Sequence, residues 1–304
     1  VWGIDLGMLY KISHRTTYKY LSPVSVGNHV ACLKPRSYEQ NRLVRNTLHI
    51  SPHPVTLTER TDYYGNTLWF FSVQDPHKQL VVESVSEVLR TGGPTAEAQA
   101  SLPWEESTRL AQDHSAERLD AYQYQFESPR IRVRRDFSAY ALESFTPGRI
   151  MQDALLELTA RMHQDFRFDS RVTTVRTPTE EVFKKRSGVC QDFAHVQIAC
   201  LRSINLAARY VSGYLRTYPP AGKPRLIGAD ASHAWVSAYC RGAGWLDMDP
   251  TNDVAPTDGH VTVAWGRDYG DVSPLRGLIL GGGGHTLRVE VDMEPVGGSE
   301  FDGR

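Results

Sequence analysis

From Lys11 to Arg90, β-branched and aromatic residues recur in short runs broken by turn formers: Thr16–Tyr20, Leu48–Ile50, Leu68–Val73 and Leu80–Leu89. Successive strand side chains point to opposite faces, so these runs predict an all-β unit. Gly65-Asn66, just ahead of Leu68-Trp69-Phe70-Phe71, predicts a hairpin turn, because both residue types tolerate positive φ. Thr91-Gly92-Gly93-Pro94-Thr95 breaks the periodicity and predicts a linker. The period then changes. A helical stretch is expected near Trp104–Leu119, and a stronger one over Arg149–Phe166, where Leu155, Leu158, Met162 and Phe166 repeat at three and four residues.

Thr177-Pro178-Thr179-Glu180 has the pattern of a capping box, which predicts a short helix from Pro178 to about Arg186. A second helix is expected from Cys190 to about Ile204, with so little polar surface that it should lie inside the domain. Strands follow at Ala208–Leu215, His233–Tyr239, Trp245–Met248, Val261–Ala264 and Thr286–Met293. The run Arg130–Arg135 alternates arginine with Ile131 and Val133 and predicts a strand with one solvated face. The expected division is a β-rich N-terminal domain over 9–95, a linker and connecting segment over 96–148, an α+β core over 149–295 and a polar tail over 296–304.

Composition narrows the function classes. The 304 residues are 40% hydrophobic and 23% charged, as in folded globular chains. A net charge of -1, without a basic cluster, argues against nucleic acid as a partner. No apolar run is long enough for a membrane helix, and the first residues lack the plan of a secretory signal, so the expectation is a cytoplasmic protein without a membrane partner. Cys32, Cys190, Cys200 and Cys240 are widely spread, which points away from a disulfide framework or a zinc site. No metal or cofactor is expected, and the sequence leaves the oligomeric state open.

One of those cysteines stands apart. Gly188-Val189-Cys190-Gln191-Asp192 places a thiol at a helix start, where free N–H groups and the helix dipole favour a thiolate. His233 lies on a predicted strand and Asp249 at the end of the next. A nucleophile on a helix, a base on one strand and an orienting carboxylate beside it form the constellation that acyl transfer requires. Asp247, two residues from Asp249, shares its strand face and competes for that role, while Asp249-Pro250 also reads as a plain turn. His195 is expected to turn away from the thiol and pack in the core, and Asp192 to help close the helix start. Arg267-Asp268-Tyr269 either lines a cleft or pins a loop. Gly281–Gly284 reads as a loop, since no Gly-Lys-Ser/Thr follows it.

These residues resemble a family. Gly188–His195, Ala207–Tyr214, Ser232-His233-Ala234-Trp235, Asp249–Asn252 and Gly266–Pro274 are similar to the core of bacterial transglutaminase-like proteins. Tyr18-Lys19-Tyr20, Leu33–Arg36 and Asp62–Asn66 resemble the β-rich N-terminal domain of those proteins. The resemblance implies a papain-like core, a helix bearing the cysteine packed on an antiparallel sheet, with Cys190 as nucleophile, His233 as base and Asp249 as orienting acid. Animal transglutaminases bind the oxyanion with an upstream tryptophan; Trp104 lies too far back, so the expected donors are the Cys190 N–H with the side chain of Gln191 or Ser232. The expected activity is a cysteine peptidase or amidase acting on a peptide or protein substrate. A protein-glutamine transglutaminase is the alternative, and a silent peptide-binding scaffold the third reading.

Overall fold

The computed structural model describes residues 7–92, 102–109, 116–217 and 231–296. The N-terminal part is built on β1 (Met8–Ala31), which is long enough to serve two sets of neighbours. Its first half pairs with β5 (His77–Arg90), and its second half with β4 (Thr67–Val73). The change of partner falls at a register break between Lys19 and Val24, beside Pro23, which has no N–H to give a ladder. β2 (Asn41–Ser51) adds to β5 and β3 (Thr56–Thr61) to β4. Gly65, at φ +78°, supports the turn expected between β3 and β4.

The helical segments come next. They are α1 (Ala116–Tyr122), α2 (Arg135–Leu142) and α3 (Met151–Asp165), followed by the short parallel pair β6 (Arg167–Phe168) and β7 (Ser187–Gly188) flanking α4 (Thr179–Lys185). α5 (Cys190–Arg202) is buried on nearly every side, as its composition predicts. It packs on a four-stranded antiparallel sheet ordered β10 (Gly244–Met248), β9 (Ala231–Cys240), β8 (Ala208–Leu215) and β11 (His260–Gly266). After the short helix α6 (Tyr269–Val272), β12 (Leu275–Gly281) and β13 (His285–Pro295) return to the first sheet and pair with β1. Residues 275–295, expected within the core, are therefore strands of the N-terminal sheet.

Three local expectations are corrected. Arg130–Arg135 is no strand: Ser128 and Ile131 bridge across a turn, Ile131 is buried, and Arg135 already opens α2. Burying one apolar residue at a turn satisfies the same alternation. The capping box at Thr177 does not form, because its hydroxyl accepts instead from the Thr174 N–H, and α4 starts after Pro178. The helix expected over Trp104–Leu119 divides into a single turn at Trp104–Ser107 and α1, with 110–115 outside the described residues. Most of the expected linker and tail, 93–101 and 297–304, also lies outside them.

Two buried asparagines fasten the parts together. β11 is an edge strand, and Asn41 and Asn66 pair with its outer backbone as a neighbouring strand would. Asn41 accepts from the Thr262 N–H at 3.1 Å and donates to its carbonyl at 3.2 Å. Asn66 accepts from the Trp265 N–H at 3.0 Å and donates to its carbonyl at 2.8 Å. Asn66→Ala leaves that buried N–H and carbonyl without partners. We expect a loss of about 2–3 kcal/mol, read as a lower urea midpoint, and an unchanged midpoint would refute this account of the junction.

Candidate active site

The site begins at the chain's entry into α5. Val189 is extended, and the Asp192 carboxylate reaches back to accept its N–H at 2.9 Å, while Thr173 donates to the same oxygen at 2.6 Å. A Cβ at position 188 would lie 2.6 Å from that carboxylate, so glycine is required there. Asp192 thus closes the helix start, as expected, and Cys190 is set at its first turn. Cys190 is half-buried, whereas the other three cysteines are buried. For Cys32, burial pushes the thiol up to about 12.

His233 sits at the start of β9 and is buried. Its Nε2 donates to Asp249 Oδ2 at 2.7 Å, and Cys190 lies near enough to the same imidazole to influence its charge. Burial alone would lower the His233 pKa. The hydrogen bonds and negative charge of Asp249 and Cys190 overcome that effect and raise it to about 10. Asp249 has no exposed surface, which opposes its charge, yet hydrogen bonds from His233, His260 and Asn252 hold its carboxyl well below the usual range.

The two oxygens of Asp249 have separate partners. Oδ1 accepts from the Thr251 N–H at 3.0 Å and shapes the turn. Oδ2 accepts from His233, from Asn252 at 2.7 Å and from His260 at 3.2 Å. The rival Asp247 is engaged elsewhere: its Oδ2 accepts from the Trp235 indole at 3.1 Å. Trp235 is fully buried, lies edge-on to His260 and fits over Gly213, where any Cβ would collide with it at 2.4 Å. His233, Asp249 and His260 also bring their donor atoms within 4.8 Å of one another, a grouping with metal-ligand chemistry that the sequence did not suggest. The shared Oδ2 accounts for their closeness.

A cleft of about 270 Å³ opens above Cys190. Gln191 and Ser232, the expected oxyanion donors, both line it, as do Tyr210 and Tyr269. The opposite wall comes from the first sheet: His14, Thr16 and Tyr18 of β1 with Leu287 and Val289 of β13. The Arg267-Asp268-Tyr269 stretch does both things proposed for it. Arg267 pairs with Asp271 at 3.0 Å and Asp268 accepts from the Arg130 and Gly270 N–H groups, while Tyr269 faces the cleft. His195 packs against Tyr210 and accepts from the Tyr269 N–H, and burial lowers its pKa to about 3.

Residues 10–89 match the bacterial transglutaminase-like N-terminal region, and residues 142–250 match the transglutaminase-like superfamily. The chain belongs to the bacterial transglutaminase-like family. An uncharacterised protein of Mycobacterium tuberculosis is 38% identical over 302 residues, covering 95% of this chain and 93% of that one. A protein-glutamine gamma-glutamyltransferase of Pseudomonas aeruginosa is 34% identical over 107 residues, 33% of this chain and 16% of that one. In fold, the transglutaminase-like chain is similar to a Cytophaga hutchinsonii protein described as a "Putative Cysteine Protease", with TM-score 0.76, 20% identity and coverage of 96% and 92% of the two chains. Among the described residues no helix is long and apolar enough to cross a membrane.

Asn252 and His260 escaped the sequence reading. Asn252 falls in a motif that reads as a turn, and His260 is the first residue of β11, one residue ahead of the apolar run that marks the strand in sequence.

Two measurements follow from this geometry. Iodoacetamide at neutral pH should alkylate Cys190 well before Cys32, Cys200 and Cys240, as mass spectrometry would show; equal labelling would mean that the thiol is not activated. The second concerns pH. The raised His233 pKa stabilises the fold fully below its ordinary 6.5, and that contribution fades as pH rises toward about 10. The lowered Asp249 pKa stabilises above its ordinary 3.8, and that contribution fades in stronger acid. The melting-temperature gap between wild type and Asp249→Asn should therefore be widest between about pH 4 and 6.5. A gap independent of pH would contradict the pairing.

Proposed function

We propose that this protein is a cysteine-dependent amide hydrolase, a peptidase or amidase, whose substrate is a peptide or protein. The observation that carries this reading is the buried Asp249–His233 pair beside Cys190, beneath an open cleft. His233, held by Asp249, is placed to take the proton of the thiol. The thiolate of Cys190 attacks the amide carbonyl, and negative charge develops on its oxygen. The Cys190 N–H, with Gln191 or Ser232, receives that charge. Collapse expels the amine, which takes its proton from His233, and leaves an acyl-enzyme. His233 then removes a proton from water, whose attack on the thioester releases the acid and restores the thiol. Asp249 holds the imidazole in its orientation throughout.

The segment similar to a named glutamyltransferase favours a second reading, in which a primary amine replaces water in the final step. Hydrolysis leads because it asks only that water reach the acyl-enzyme, whereas transamidation must exclude it.

The test is a digest of an unbiased peptide library with and without a primary amine. New termini are expected in both, while amine incorporation without new termini would select the transglutaminase reading. Cys190→Ala should abolish turnover with an unchanged melting curve, and Asp249→Asn should lower kcat by on the order of a thousandfold. Full activity in Cys190→Ala would end the proposal.

A further inference from the structure

A larger cavity, about 570 Å³, lies apart from the thiol, between the four-stranded sheet and the loops of the first sheet. Strand register places its sheet-derived walls on one face: Arg209 and Asp247 both lie opposite Ser237, and Trp265 lies opposite Val211. Arg209 is the unusual member. It is 7% exposed, and its guanidinium is stacked between the indoles of Trp245, at 4.0 Å, and Trp265, at 3.8 Å.

Such stacking uses none of the guanidinium N–H groups, which point outward around its edge. Among the described residues the guanidinium meets no hydrogen-bond acceptor; Nε is enclosed, whereas the two terminal nitrogens are not and are the donors left for the cavity. The other buried arginines differ. Arg202 donates to the carbonyls of Ala208 and Arg267, and Arg90 to those of Gln40, His260 and Thr257. A buried cation with its donors unmet is costly, so Arg209 is placed to meet an acceptor brought from outside. Asp247 supplies the opposite charge in the same cavity: one oxygen accepts from Trp235, and the electrostatic influence of the carboxylate reaches Arg209 without an ion pair between them. Val211, Met248 and Pro256 add apolar wall.

We propose that this cavity is a second ligand site, for an α-amino acid with an apolar side chain. The carboxylate takes the Arg209 fork, the ammonium faces Asp247, and the side chain lies along the apolar wall. The site is separate from the proposed hydrolysis, and its test does not depend on turnover.

The experiment titrates the full-length Cys190→Ala protein with L-leucine, following tryptophan fluorescence and calorimetry. Two matched probes accompany it: 4-methylpentanoate, which lacks the ammonium, and 3-methylbutylamine, which lacks the carboxylate. Saturable L-leucine binding is expected, about tenfold or more tighter than either probe. Arg209→Lys keeps the charge but loses the fork, and should weaken L-leucine about tenfold. Asp247→Asn keeps an acceptor for Trp235 and should weaken L-leucine without affecting 4-methylpentanoate. If Arg209→Lys fails to fold, Asp247→Asn decides the matter alone. Absence of saturable L-leucine binding, equal binding of all three compounds, or binding indifferent to Asp247→Asn would each overturn the proposal.

Discussion

A carboxylate that water cannot reach organises the centre of this protein. Removing Asp249 from solvent would be prohibitive without partners, and the structure gathers three side-chain donors onto one of its oxygens and a backbone N–H onto the other. The side-chain donors come from three stretches of chain: the start of β9, the turn after β10 and the start of β11. The same charge therefore fixes the imidazole, closes the turn and draws the edge strand inward. The sheet converges on Asp249 because the charge leaves few other arrangements that satisfy it.

The N-terminal sheet is part of the same construction. One half of it shares an apolar core with the helices, through Tyr10, Ile12, Val88, Val291 and Met293, while the other half closes on its own cluster around Val24, Phe71, Val73 and Leu80. The shared half presents Thr16, Tyr18, Leu287 and Val289 across the cleft from Cys190. A domain that looks like an appendage in sequence thus forms one side of the chamber over the thiol.

Much of this was legible in advance, for identifiable reasons. α3, α5, the strands from β8 to β11 and β13 carry regular periods, while β12 does not, and Cys190, His233 and Asp249 are chemically distinctive residues at the ends of such elements. What stayed hidden depends on packing between distant segments. Nothing near Asn41 or Asn66 says that their amides replace a missing strand, and nothing near Leu287 or Val289 says that their half-exposed side chains face a cleft. The alternation over Arg130–Arg135 misled because one buried isoleucine in a turn produces the same local signal. His260 shows the limit most clearly, since only the tertiary fold places it on a carboxylate eleven residues earlier in the chain.

The return of β12 and β13 to β1 has a consequence for biosynthesis. A ribosome makes the chain from its N-terminus, so Cys190, His233 and Asp249 all emerge before the strand that carries Leu287 and Val289. The cleft over the thiol can be walled only after Leu287 and Val289 have been made, because that wall pairs β1 with β13. Such sequence-distant pairing is slow to form. The nascent chain thus passes through a stage in which Cys190, His233 and Asp249 have all emerged and the β13 wall of the cleft has not, so β13 sets the moment at which the cleft above Cys190 is complete.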